Sequence, residues 1–215
     1  MSESNAEMVE FDVKEKGIKD QKVLDAFLKT DRALFVPKIS QELAYTDRAL
    51  RVSHGQTISQ PYMVAIMLEA LKFTGNEKTL EIGTGTGYQT ALLSHLSREV
   101  WTVERIEPLA TSAEDRLIEL GYKNIKYRLG DGSLGWPDGA PYDRIVVSAA
   151  CPSLPIAYVE QLAEGGIIAV PVGNYESQEL IVGVKRDGKL LTHSKTPCVF
   201  VPLIGEQGFK TAPKD

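Results

Sequence analysis

The run Glu81-Ile82-Gly83-Thr84-Gly85-Thr86-Gly87 constrains this chain more than any other segment, because it joins a short apolar strand to a helix through three glycines at alternate positions. Lys78-Thr79-Leu80 leads in, and Tyr88-Gln89-Thr90-Ala91-Leu92-Leu93 follows with a helical pattern. Residues without a Cβ let the backbone turn tightly and let a ligand come close to it. A dinucleotide site uses the spacing G-x-G-x-x-G and leaves the helix N-terminus bare for a pyrophosphate. Here the spacing is G-x-G-x-G, and Glu81 at its mouth is expected to repel a pyrophosphate and to suit a cationic ligand. S-adenosylmethionine, with a sulfonium and an ammonium, is such a ligand. A second acid, Glu104, closes the next apolar strand, Glu99-Val100-Trp101-Thr102-Val103, where it can accept hydrogen bonds from both hydroxyls of a ribose.

The pattern around this run is that of a parallel sheet with helical crossovers. Strands are expected near 78–82, 100–104, 125–129, 142–148 and 166–170, with helices near 87–97, 107–120 and 154–163. Ile145-Val146-Val147 is continuously apolar, as a central strand buried on both faces must be. Ahead of the sheet, Ile18, Val23, Leu24, Phe27 and Leu28 fall at helical spacing in a zone that runs to Val36 and stops before Pro37. A further helix is expected from Pro61, a good first-turn residue, through Met63, Ile66, Met67 and Leu71. Beyond Pro171 the alternation stops. Residues 180–185 and 190–196 flank Asp187-Gly188, a strong hairpin signal, so the sheet should end in antiparallel strands, the last containing Val199-Phe200-Val201. The expectation is one α/β domain over 1–215, Rossmann-like, with a helical front segment (about 1–75), a sheet core (about 76–171) and C-terminal antiparallel strands (about 172–205). In open sheets of this kind ligands bind beyond the carboxyl ends of the parallel strands. The glycine run, Glu104, Asp131-Gly132 and Ala149-Ala150 all fall on that edge.

Bulk properties remove several function classes. A formal net charge of −5 argues against a phosphate-backbone partner, which needs clustered Lys and Arg. No stretch approaches the roughly 20 apolar residues of a membrane span, and the N-terminus shows no secretory signal. Cys151 and Cys198 form no metal spacing. One disulfide between them stays open, but two reduced thiols in a cytoplasmic protein is the simpler account. No His, Cys or acid spacing suggests a metal, no G-x-S-x-G elbow is present, and His54, His95 and His193 stand in no telling context.

Several residues keep two readings on local grounds. Glu104 is a ribose acceptor or, beside Arg105, half of a surface ion pair. Asp131, in Gly130-Asp131-Gly132, faces adenine or forms an ordinary Asp-Gly turn. In Gly55-Gln56-Thr57-Ile58-Ser59-Gln60-Pro61, a polar loop running into a helix, Ser59 is a helix-capping hydroxyl or a functional one.

That loop, together with Glu81 to Tyr88, Val103-Glu104-Arg105, Gly130-Asp131-Gly132, Ala140-Pro141-Tyr142-Asp143, Pro171-Val172-Gly173 and Phe200-Val201-Pro202-Leu203, resembles the protein-L-isoaspartate O-methyltransferase family over nearly the whole chain. The glycine motif is shared with methyltransferases at large, whereas the Gln56 to Pro61 loop is particular to this family. The resemblance implies a class I methyltransferase fold and methyl transfer from S-adenosylmethionine to L-isoaspartyl, and conceivably D-aspartyl, residues of damaged proteins, leaving S-adenosylhomocysteine. It implies Ser59 as the active-site serine in contact with the acceptor carboxylate. It implies Gln56, Thr57, Ile58, Glu81, Gly83, Thr84, Gly85, Glu104, Arg105, Asp131 and Gly132 around the cofactor, and Val199, Phe200 and Val201 beside the peptide. A cytoplasmic monomer with no nucleic-acid or membrane partner completes the expectation. Ser53, where glycine is more usual, and Phe209, where Trp is, depart from the pattern and put loop shape and tail packing in doubt. Two rivals remain: a methyltransferase of the same fold acting on a small molecule or nucleic acid, and a nucleoside-binding module without catalysis.

Overall fold

In a computed structural model, which describes residues 3–211, the strand-rich half forms one seven-stranded sheet of order β5-β4-β3-β6-β7-β8-β9. Its strands are β3 (Lys78–Ile82), β4 (Glu99–Glu104), β5 (Ile125–Leu129), β6 (Tyr142–Val147), β7 (Leu162–Gly173), β8 (Gln178–Arg186) and β9 (Lys189–Cys198). β3 to β7 are mutually parallel, and β8 and β9 run antiparallel. This is the Rossmann-like class I methyltransferase architecture. From β3 the chain first builds outward through β4 and β5, then crosses to β6 on the other side. That reversal opens a crevice at the carboxyl end of β3, the switch point where open sheets bind ligands.

The apolar run in β6 shows why this strand is central. Val146 packs into the core on one face, while Ile145 and Val147 pack into the core on the other, and all three are fully buried. Complete burial of each such side chain contributes about 1.5–3 kcal/mol. The first core also takes up the helical front segment and the inner face of α4 (Tyr88–Leu96). The second contains Tyr142, Tyr158 and Leu162, the latter two from α6 (Ile156–Gln161) and β7.

The front segment is less regular than its apolar spacing predicts. A short helix, α1 (Glu3–Glu7), runs on as a π-helical segment (Met8–Lys14) that the expectation lacked. The helix expected over 18–36 is two pieces. α2 (Gln21–Lys29) is capped by the Asp20 carboxylate, which accepts from the Lys22 amide. Thr30 is extended, and Asp31 accepts from the Ala33 amide to start a separate 3-10 turn (Arg32–Phe35). A second 3-10 segment (Lys38–Leu43) follows. Two strands too short to show alternation, β1 (Leu50–Arg51) and β2 (Thr57–Ile58), pair antiparallel and close the loop that carries Gln56, with Ser59 just beyond β2. Ser53 in that loop is not in the left-handed region, so its departure from glycine imposes no backbone strain. α3 (Pro61–Ala70) then leads to the sheet, and α5 (Glu107–Glu119) connects β4 with β5.

The hairpin forms about Asp187 (φ 51°) and Gly188 (φ 72°), as the Asp-Gly pair predicts. The last strand, however, ends at Cys198 and does not contain Val199, Phe200 and Val201. These residues cross the end of β6 instead. The Ala150 amide donates to the Val201 carbonyl and the Leu203 amide to the Ala150 carbonyl, both at 2.8 Å. The chain thereby becomes a strap over the carboxyl ends of the parallel strands, and its end is fixed by Phe209 stacking on Tyr175 with ring centroids 4.3 Å apart.

Candidate active site

At the switch point lies a cavity of about 510 Å³, within the range of small-molecule sites. Its floor is the glycine run, where Gly83, Gly85 and Gly87 have φ of 92°, 55° and 86°, conformations that L side chains rarely adopt. One wall is the end of β4, another the end of β6 at Ser148 and Ala149, and the roof is the strap at Val201 to Ile204. Gln56 of the β1–β2 loop, Thr57 and Ile58 of β2, and Ser59 just beyond it line a further side.

Glu104 is nearly buried, which removes the surface ion-pair reading. Its Oε2 accepts from the Gly85 amide at 3.0 Å, and its Oε1 from the Arg105 and Ile106 amides at 2.8 and 3.0 Å. The carboxylate thus fixes the glycine run against the end of β4 while lining the cavity. Thr84, Arg105 and Gly132 line it as well. A Cβ on Gly132 would sit 2.6 Å from Cγ2 of Ile82, so only glycine brings this backbone so close to β3.

Glu81 is not at the mouth. It is fully buried behind the glycine run and does not line the cavity. Its Oε2 accepts from the Thr90 and Thr102 hydroxyls at 2.6 and 2.8 Å, and its Oε1 from Gln89 Nε2 at 3.2 Å. Strand register is the reason, because Glu81 pairs with Thr102 across β3 and β4 and its side chain enters the layer under α4. Burial pushes its pKa up to about 7, against the lowering effect of these three hydrogen bonds. Since the Thr102 hydroxyl donates to Glu81, the Thr84 hydroxyl, 2.6 Å away, must donate to Thr102. A polar chain therefore links the buried acid to the cavity wall.

Asp131 also falls outside the lining. Its Oδ1 accepts from the Ser133 amide and hydroxyl at 2.8 and 2.7 Å, and its Oδ2 from the Glu206 amide at 2.7 Å. Burial, which alone would raise its pKa, is outweighed by these bonds, so the group lies below the ordinary aspartate value. Its side chain holds a local turn and tethers the strap, so the Asp-Gly turn reading is met while adenine contact remains an expectation. Of the three strap residues expected beside a peptide, Val201 lines the cavity, whereas Phe200 does not and Val199 is 73% exposed.

Ser59 lines the cavity and does not cap α3. The N-cap residue is Gln60, and its own side chain makes no capping bond. Asp47 takes the role from a distance. Its Oδ1 accepts from the Tyr62 amide at 3.0 Å, and its Oδ2 from Gln60 Nε2 at 2.7 Å and Lys16 Nζ at 2.6 Å. Nothing in the sequence spacing marked Asp47, because its partners lie thirteen to thirty-one residues away. The Ser59 hydroxyl is left without a hydrogen-bond partner among the described residues. His54 lines the cavity, and His95 and His193 do not. Both cysteines are free and buried, and among the described residues no group of His, Cys, Asp or Glu could hold a metal.

Comparison with known proteins agrees with this arrangement. The family model for protein-L-isoaspartate(D-aspartate) O-methyltransferase matches residues 3–208. The chain is 50% identical over 198 residues to a protein-L-isoaspartate O-methyltransferase of Dictyoglomus thermophilum, covering 92% of this chain and 90% of that one. It is 47% identical to the protein of the same name from Methanoculleus marisnigri, covering 95% and 93%. A solved protein-L-isoaspartate O-methyltransferase structure superimposes with a TM-score of 0.86 at 29% identity, covering 94% of this chain and 67% of that one. A Plasmodium falciparum protein described by the same activity, solved with S-adenosyl-L-homocysteine, gives 0.81 at 25% identity, covering 94% and 99%. With a cavity at the switch point, a glycine run anchored on an acid, and a sequence match over nearly its full length, the chain belongs to the protein-L-isoaspartate O-methyltransferase family.

Proposed function

We propose that the chain repairs damaged proteins by methylating the free carboxylate of L-isoaspartyl residues, with Ser59 positioning that carboxylate. The observation that carries this reading is Ser59, which lines the same cavity as Glu104 and the glycine run and whose hydroxyl has no hydrogen-bond partner among the described residues. The donor set fits S-adenosylmethionine: an acid at the end of β4 for the ribose, glycine backbone beneath, and Gly132 along the wall. When bound, this cofactor supplies a methyl group on a sulfonium.

The chain has little proton chemistry to do. A substrate carboxylate has a reference pKa near 4 and is ionised at neutral pH, so it needs no general base. The residues' task is alignment and exclusion of water, worth several kcal/mol of barrier. Ser59 can donate one hydrogen bond to one carboxylate oxygen and leave the other free to react. A guanidinium there would orient the carboxylate but quench its nucleophilicity. The strap and the Gln56 to Ser59 segment both line the cavity, where they can limit the access of water once substrate is bound. The methyl ester is then attacked by the following backbone nitrogen, expelling methanol and forming a succinimide that hydrolyses partly to normal aspartate without further help.

The same reading makes the protein a cytoplasmic monomer that acts on polypeptides and not on nucleic acid. The net charge of −5 and the two free thiols support it, and no described helix is long and apolar enough to cross a membrane. Ser59→Ala tests the assignment. Cofactor affinity should stay within about threefold, while kcat/KM on an isoaspartyl peptide falls at least about tenfold, the effect of roughly 1.4 kcal/mol. Ser59→Asp should be worse than Ala because a second carboxylate repels the substrate's own. Full activity in Ser59→Ala, or better activity in Asp than in Ala, would overturn it.

A further inference from the structure

Gln89, the second residue of α4, is only 8% exposed, yet it lines the cavity. Its Nε2 donates to Glu81 Oε1 at 3.2 Å and to Ser148 Oγ at 2.7 Å, which uses both amide protons. Its Oε1 has no partner among the described residues and is not sealed from solvent. Glu81 decides which end of the amide faces the ligand. Gln89 Nε2 donates to Glu81 Oε1, and above the Glu81 pKa of about 7 the carboxylate only accepts, so the nitrogen turns toward Glu81 and the carbonyl oxygen toward the cavity.

We propose that this oxygen binds the α-ammonium of the cofactor's amino-acid end, making Gln89 a cofactor-binding residue and Glu81 the residue that orients it. The inference rests on the reading of the cavity as an S-adenosylmethionine site. Of the two cationic centres in that cofactor, the sulfonium carries no proton to donate, whereas the ammonium carries three. When ionised, above its pKa of about 7, Glu81 behind the amide further favours a cation in front of it. The placement also suits the length of the ligand. Glu104 ends β4 and Ser148 follows β6, the two neighbours of β3, so they flank the glycine run about two strand spacings, roughly 10 Å, apart. An extended aminocarboxypropyl chain can reach from a ribose on Glu104 to Gln89 across that gap.

Three probes isolate the contact by calorimetry: S-adenosylhomocysteine, its decarboxylated analogue, which keeps the ammonium, and 5′-methylthioadenosine, which lacks the amino-acid end. Gln89→Leu should weaken the first two at least about tenfold and leave methylthioadenosine within about twofold of the unaltered protein. Equal loss for all three, no loss for S-adenosylhomocysteine, or loss for S-adenosylhomocysteine but not for its decarboxylated analogue would each overturn the assignment. Failure of the unaltered protein to bind S-adenosylhomocysteine would instead overturn the cofactor reading, and this inference with it.

Discussion

Replacing Glu104 by Gln changes one atom of a carboxylate that serves both the fold and the ligand. A carboxamide has one acceptor oxygen, which can keep the Arg105 and Ile106 amides that Oε1 now receives. Its NH2 group then faces the Gly85 amide, a donor against a donor, at a site where Glu104 is only 7% exposed. One unsatisfied buried amide costs about 1–3 kcal/mol, so the ligand-free protein should lose stability by that amount. The cofactor loses more than the charge. Hydrogen bonds to an ionised acceptor contribute about 1.5–3 kcal/mol against 0.5–1.5 for neutral ones, so two ribose hydroxyls lose about 2 kcal/mol together. That corresponds to a dissociation constant raised by roughly thirtyfold. Displacement of Gly85 from the floor adds to it. Calorimetric titration with S-adenosylhomocysteine measures the affinity, and urea unfolding without ligand measures the stability. An unchanged dissociation constant beside a loss of stability would show that Glu104 only anchors the glycine run, and would refute the ribose assignment.

Two further outcomes follow from the hydrogen-bond pattern. Asp47→Ala should cost about 1–2 kcal/mol by uncapping α3, while Ser59→Ala should fall within about 0.5 kcal/mol of the unaltered protein; equal costs in urea unfolding would return the cap to Ser59. For Glu81 the native pKa near 7 lies above its ordinary value of 4.5. The unfolded chain therefore releases this proton first, and the stabilising contribution is complete below about pH 4.5 and lost as pH rises to about 7. The loss is on the order of 3 kcal/mol. Stability curves of the ligand-free protein and of Glu81→Gln should accordingly converge at low pH and separate between pH 5 and 8, and parallel curves would contradict the burial argument.

Much of this fold could be read from local pattern, and the failures have physical causes. The parallel core was legible because strand, glycine turn and helix each have a distinct period, and because both faces of Ile145-Val146-Val147 are apolar. The N-terminal helix was not. Its buried residues Met8, Val9 and Val13 lie in a single stretch whose backbone closes i→i+5 bonds, such as the Glu15 amide to the Glu10 carbonyl, and three positions are too few to show a period in the sequence. At the site, the glycine run and Glu104 were identifiable from position alone. Ser59 could not be separated from a helix cap by spacing, because the residue that caps α3 is Asp47. Glu81 was misplaced because an acid beside glycines reads as exposed, and only the pairing with Thr102 reveals that it is buried. Asp131 retained the turn that Asp-Gly suggests, and its second partner, the Glu206 amide, lies 75 residues away.

The central claim is tested most directly by one pair of peptides identical except for an isoaspartyl or an ordinary aspartyl residue at a single position. Each is incubated with the unaltered protein and S-adenosylmethionine labelled in its methyl group, and base-labile label on the peptide is counted. The account predicts ester formation on the isoaspartyl peptide and almost none on its aspartyl twin. Equal labelling of the two, or tight cofactor binding with no label on either, would contradict it.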